Sequence, residues 1–154
     1  MMKINNSEFP ILWINDIDSS LGVFKDLDEL TTCTSGTLRS GWYTELKLIT
    51  HSGKILGINR ARKVQTKSQF SVSTLFWKIF GAELIKVELD LVELSYKLNL
   101  DDLRKNIRCI LIRNIDRWDS DGNLDQLLSL LDKTTSVSEV VDLMKRRCFK
   151  EPLI

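Results

Sequence analysis

Histidine is almost missing from this chain of 154 residues: His51 is the only one. That excludes metal centres built from several histidines and the His-x-x-x-His spacing that sets two imidazoles on one helix face. Cysteine is scarce and odd in number, with Cys33, Cys109 and Cys148 far apart and no Cys-x-x-Cys. The pattern favours reduced thiols over a disulfide framework, with Cys33 and Cys109 expected to be buried. No apolar run approaches the roughly 20 residues needed to cross a bilayer. The opening M-M-K-I-N-N-S-E-F-P lacks the apolar stretch of a signal peptide, so the expectation is a cytoplasmic protein with no membrane partner. Glycine-rich phosphate loops are missing too, and no cofactor or metal is expected.

Charge of one sign is also lacking, since the net charge is +1. That is too little to imply nucleic acid or a membrane surface as partner. The charge is nevertheless arranged in blocks. Residues 1–32 hold six acids and two bases, residues 39–78 eight bases and one acid, and residues 116–132 five acids and one base. Such blocks steer a charged partner or simply mark separate elements.

What is present is an ordinary globular composition with 43% hydrophobic residues, sufficient for one domain over residues 1–154 with a core of its own. The segment from Tyr43 to Val64 reads as strand, turn, strand. A turn at Ser52-Gly53 sets Thr50 opposite Ile55 and gathers Leu46, Leu48, Ile55 and Ala61 on one face. Glu45 then lies across from Arg60, and a slip of one residue inverts the faces. Before the hairpin, Phe9 to Ile14 has strand length, with Pro10 marking its start or an edge position. Asp16 or Asp18 is placed to cap a helix from Ser19 to about Thr32, through Leu21, Val23, Phe24, Leu27 and Leu30, although Asp26 to Leu30 also suits a short helix after a longer turn. Cys33 to Gly41 reads as a loop.

After the hairpin, Gln65 to Ser73 is polar and irregular in pattern, and Thr74 to Phe80 is helical with Gly81 as its end. Glu83 to Tyr96 alternates cleanly, with Ile85, Val87, Leu89 and Leu91 on one side, as a long half-buried strand does. The last third is helical. Leu103, Ile107, Ile110, Leu111, Ile115 and Trp118 form one stripe after Asn99 or Asp101, though residues 108–112 also suit a buried strand. Leu124 to Leu131 gives a second helix, and the capping box Ser136-x-x-Glu139 opens a third that ends in Lys145-Arg146-Arg147. The fold class expected is α+β: a small, mainly antiparallel sheet built on a central hairpin, with helices packed on it and a helical C-terminal third.

Candidate chemistry is thin. Asp119-x-Asp121-Gly122-Asn123 has the look of a calcium loop but fails its glycine and glutamate positions, so a solvated turn is favoured. His51 sits in the hairpin turn, and Ser52 beside it is not placed by sequence to meet it as a nucleophile. No carboxylate pair is singled out for acid–base work, no catalytic residue is assigned, and a non-enzyme is expected. Two surfaces remain. Arg60, Arg62, Lys63 and Lys67, near Trp42, Tyr43 and Phe70, would suit phosphates and unpaired bases. Asp16, Asp18, Asp26, Asp28 and Glu29, with Asp116, Asp119, Asp121 and Asp125 as possible neighbours, would suit a basic protein.

An edge strand, a two-stranded hairpin and the helical tail from Asp125 to Met144 with its Ser136-x-x-Glu139 cap together resemble small bacterial immunity proteins of contact-dependent and other polymorphic toxin systems. The resemblance carries no catalytic residue over. It implies a protein that binds one cognate toxin, a nuclease for instance, and blocks its active site or its access to substrate. Docking would fall on the acidic residues Asp16, Asp18, Asp26, Asp28 and Glu29. The alternative is a small nucleic-acid-binding module using Arg60, Arg62 and Lys63.

Overall fold

The computed structural model describes residues 2–64 and 84–153. The irregular stretch expected from Gln65 to Ser73 and the helix expected from Thr74 to Phe80, with its end at Gly81, lie outside the described residues. So do Lys67 and Phe70.

Six strands make one antiparallel sheet: β1 (Ile11–Asn15), β2 (Ser20–Phe24), β3 (Thr32–Thr34), β4 (Leu46–Ile49), β5 (Ile55–Lys63) and β6 (Leu84–Glu93). Their order is β2-β1-β4-β5-β6-β3, and with the helices they make the fold α+β. The described helices are α1 (Leu27–Leu30), α2 (Ser35–Arg39), α3 (Leu100–Arg113), α4 (Ile115–Trp118), α5 (Leu124–Lys133) and α6 (Val137–Cys148), with 3-10 turns at Asn6–Glu8 and Trp42–Glu45. Among the described residues no helix is long and apolar enough to cross a membrane.

The sheet divides two cores. Leu12 and Ile14 of β1, Leu21 and Val23 of β2 and Ile49 of β4 face the helical layer, where Ile107, Leu111, Leu127, Leu131, Val140 and Met144 are buried. Ile11, Phe24, Leu46, Leu48, Leu56 and Ile58 face the other way, against Leu30, Cys33, Tyr43 and the alternating residues of β6. On that second side Trp13, Phe24, Trp42 and Tyr43 meet in tilted and edge-to-face contacts with ring centroids 5.1 to 6.5 Å apart. Tyr43 donates its hydroxyl to the Leu30 carbonyl at 2.8 Å, which satisfies a polar atom buried among them.

Several expectations are corrected. Residues 20–24 form β2, not the front of a helix running from Ser19 to Thr32, and only Leu27–Leu30 is helical there. Because β2 is covered on both faces, its apolar residues run consecutively instead of alternating, and Leu21, Val23 and Phe24 imitate helical spacing. Asp16 and Asp18 therefore cap no helix; they lie in the turn that joins β1 to β2. β1 is an interior strand between β2 and β4, with Pro10 just ahead of it, so its edge position is ruled out. Within Cys33 to Gly41 the structure has the end of β3 and the helix α2, where a loop was expected.

The β4–β5 hairpin forms, but one residue out of the expected register: Ile49 pairs with Ile55 and Leu48 with Leu56. Thr50 is drawn into the turn, its N–H donating to the Lys54 carbonyl at 2.9 Å and its Oγ1 accepting from the Lys54 N–H at 3.1 Å. Leu56 and Ile58, not Ile55, thus share the face of Leu46 and Leu48. The register shift between Ile58 and Arg60 then returns Ala61 to that face. Glu45 lies outside the strand and accepts from the Asn15 amide at 3.0 Å, while Arg60 stands opposite Asp90, so the expected Glu45–Arg60 pairing is replaced.

The helical third follows its sequence signals closely. Residues 108–112 are helix, inside α3, whose N-cap Asn99 accepts from the N–H groups of Asp101 and Asp102. The stripe is broken at Asn114, whose amide donates to the carbonyls of Ile110 and Ser19 at 2.9 and 2.8 Å, and Ile115 beyond the break is exposed. Ser136 caps α6 by accepting from the Glu139 N–H, and the Glu139 carboxylate reaches back to the Thr135 N–H at 2.7 Å.

Gly22 faces Trp13 across the β1–β2 pair, and a Cβ built there lies 2.6 Å from the indole ring. Gly22→Val therefore drives the ring out of the aromatic cluster. The expected loss is about 1–3 kcal/mol in a urea titration. An unchanged midpoint would show that the indole moves aside freely.

Candidate docking surface

The turn Asp16-Ile17-Asp18-Ser19 is fixed from beneath by Asn15, a polar residue with no exposed surface. Its Oδ1 accepts from the N–H groups of Ile17 at 2.9 Å and Asp18 at 3.3 Å, and its Nδ2 donates to Glu45. Asp18 accepts from the N–H and the hydroxyl of Ser20. Ser19 takes a left-handed φ of 56°, and the α3–α4 break holds it through Arg113 to its hydroxyl at 3.0 Å and Asn114 to its carbonyl. The result is a turn that presents Ile17 with 75% of its surface exposed, the highest among the described large apolar residues.

Asp16 ties the turn sideways, 3.1 Å from the Lys47 ammonium and 3.3 Å from the Asn106 amide. Lys47 and Asn106 also line a groove of about 170 Å³ that includes Asp102 and the half-exposed Tyr96. Ile112 and Ile115, both about half exposed, bracket the residues that bind Ser19.

The five acids singled out in sequence are not brought together. Asp16 and Asp18 sit before β2, and Asp26, Asp28 and Glu29 after it, about 17 Å away along five strand residues. The second group has structural work of its own. Asp26 caps α1 by accepting from the Glu29 N–H, the Glu29 carboxylate accepts from the Lys25 N–H at 2.6 Å, and Asp28 pairs with Lys86. Asp119 accepts from the Leu124 N–H and Asp121 lies 3.5 Å from Arg147, so the Asp119–Asn123 segment is a turn between helices. Among the described residues no group of three or more His, Cys, Asp or Glu side chains could hold a metal ion.

The basic residues are matched by acids. Arg62 lies 2.9 Å from Glu88 and its pKa is raised by that partner, while Arg60 faces Asp90 in register. These four line a depression of about 250 Å³ on the sheet. Lys63 is exposed at the end of β5, and Trp42 and Tyr43 belong to the core cluster, away from any stacking role beside the arginines.

His51 does not meet Ser52. Its Nε2 lies 3.1 Å from the Asp142 carboxylate of α6, tying the hairpin turn to the helical layer. Ser52 donates to Glu8 at 2.6 Å, and Lys54 reaches the same carboxylate at 3.0 Å. The Ser52 hydroxyl first, then Lys54, hold Glu8 below its ordinary value of 4.5. Cys33 is buried as expected, whereas Cys109 is exposed on the outer side of α3, a correction that follows from the helical stripe turning Ile107, Ile110 and Leu111 inward.

Sequence reasoning missed Ile17 and Asn15. Reading Asp-Ile-Asp as a hairpin tip, not a helix start, was the signal that could have found them. In comparison with known proteins, the chain matches no family model, no curated protein and no solved structure.

Two outcomes follow. A carboxylate lowered on folding stabilises above its unfolded value, and that contribution is lost as pH falls through the folded one. Glu8→Gln is therefore less stable than the parent at pH 7, and the gap in urea midpoint closes in acid; a gap that widens there would refute the assignment. With a maleimide under native conditions, peptide mapping should find Cys109 modified first. Cys148, pushed up to about 11 by burial, and Cys33, also raised by burial, should lag.

Proposed function

We propose that the protein is a toxin-neutralising immunity protein that binds a basic toxin domain through the β1–β2 turn. The observation that supports this is the Asp16-Ile17-Asp18 turn: an exposed isoleucine between two aspartates, on backbone already held in one shape. An apolar anchor seated in a partner's pocket supplies most of the binding energy in small interfaces, and flanking acids steer a basic partner toward it. Tyr96 and the groove beside Lys47 extend the surface. The acids Asp26, Asp28 and Glu29, engaged with α1 and Lys86, fall outside it. The nucleic-acid reading through Arg60, Arg62 and Lys63 loses ground, because Glu88 and Asp90 offset the charge that phosphates would need.

The test is co-expression with the product of the adjacent upstream gene, scored by growth rescue and co-purification. A partner that is neither toxic nor retained would end the reading. Given a complex, Ile17→Asp should weaken it by about tenfold or more, mainly through faster dissociation. Asp16→Lys with Asp18→Lys should slow association, most at low salt. Unchanged kinetics in both variants would move the interface elsewhere.

A further inference from the structure

Among the described residues, the helical layer covers β2, β1 and β4 and leaves the same face of β5 and β6 open beyond Gly57. Arg60 and Arg62 of β5 and Asp90 of β6 are exposed there, with Glu88 partly so. The charges stand in two rows. β5 carries the positive row, β6 carries the negative one, and the register aligns Arg60 with Asp90 and Arg62 with Glu88. Leu84 and Val92, both exposed, share this face of β6 at either end of the negative row. Lys86, also on it, is engaged by Asp28 and by Thr32.

We propose that this face takes a second copy of the chain. A two-fold axis parallel to the strands, between two sheets laid face to face, sets the positive row of one copy over the negative row of the other. Arg60 then meets the second copy's negative row at Asp90's level, Arg62 meets it at Glu88's level, and each contact is made twice, as an isologous interface requires. No other single operation on a flat stack matches both rows. The depression of about 250 Å³ between the four side chains gives the opposing ones room. The open patch is narrow, at the low end of specific interfaces, so the dimer is transient and salt-sensitive. This face adjoins the groove beside Lys47 across Gly57 but shares no residue with the β1–β2 turn, and the proposal stands whether or not a toxin binds there.

Sedimentation velocity of the full chain tests it. In about 20 mM salt the sedimentation coefficient should rise with concentration, and in about 0.5 M salt the rise should vanish. The decisive pair of variants is R60D/R62E, which makes both rows acidic, and E88R/D90R, which makes both rows basic. Each alone should be monomeric at every concentration. Their mixture should form a heterodimer about tenfold or more tighter than the parent homodimer. The intrachain pairs stay broken in both, so association of the mixture reports the interface alone, and circular dichroism confirms that each variant is folded. A parent that stays monomeric in low salt, a dimer that survives in either variant, or a mixture that does not associate would overturn the proposal.

Discussion

The fold depends on β1 being buried on both faces. Ile11, Leu12 and Ile14 have almost no exposed surface, and they reach opposite cores that share nothing but the sheet. A strand so placed cannot trade one face for water, which fixes its register against β2 and β4 more firmly than any turn could. From it follow the burial of β2, the placement of the helical layer over one half of the sheet, and the stretch of β5 and β6 that the described helices leave uncovered.

Polar groups are arranged to respect that division. Asn15 and Thr50 have no exposed surface, and each spends its side chain on a turn at an end of a buried strand. At the opposite end from the β1–β2 turn, Glu8, Ser52, Lys54 and His51 knot the β4–β5 turn to the 3-10 segment and to Asp142 of α6. The two turns are thus held by different means. One depends on a buried amide, whose loss frees the N–H groups of Ile17 and Asp18 that shape the turn. The other adds to the buried Thr50 hydroxyl a set of charges nearer the surface, which salt and pH weaken.

The helical third was legible because its signals are local: a 3.6-residue stripe through Leu103, Ile107 and Leu111, and caps at Asn99 and Ser136 that act within one turn. β6 was legible because one of its faces is wet, so Ile85 to Leu91 alternate. β2 was hidden for the opposite reason, since two dry faces erase alternation. The one-residue slip of the hairpin came from Thr50, whose hydrogen bonds to Lys54 a turn dipeptide does not announce. The candidate site was legible only in part. Asp16 and Asp18 stand out by charge, but their distance from Asp26, Asp28 and Glu29 depends on an intervening strand, and Ile17 counts as core until the chain is seen to reverse around it.

Asn15 has a consequence for how such a surface would be mapped. A residue that no partner can touch decides the shape that a partner would read, so a mutational scan scored by affinity alone would list it among the contacts. Telling scaffold from epitope here would call for an observable of the free protein, such as amide-exchange protection at Ile17 and Asp18. The boundary of the proposed recognition surface is therefore drawn partly from inside the sheet.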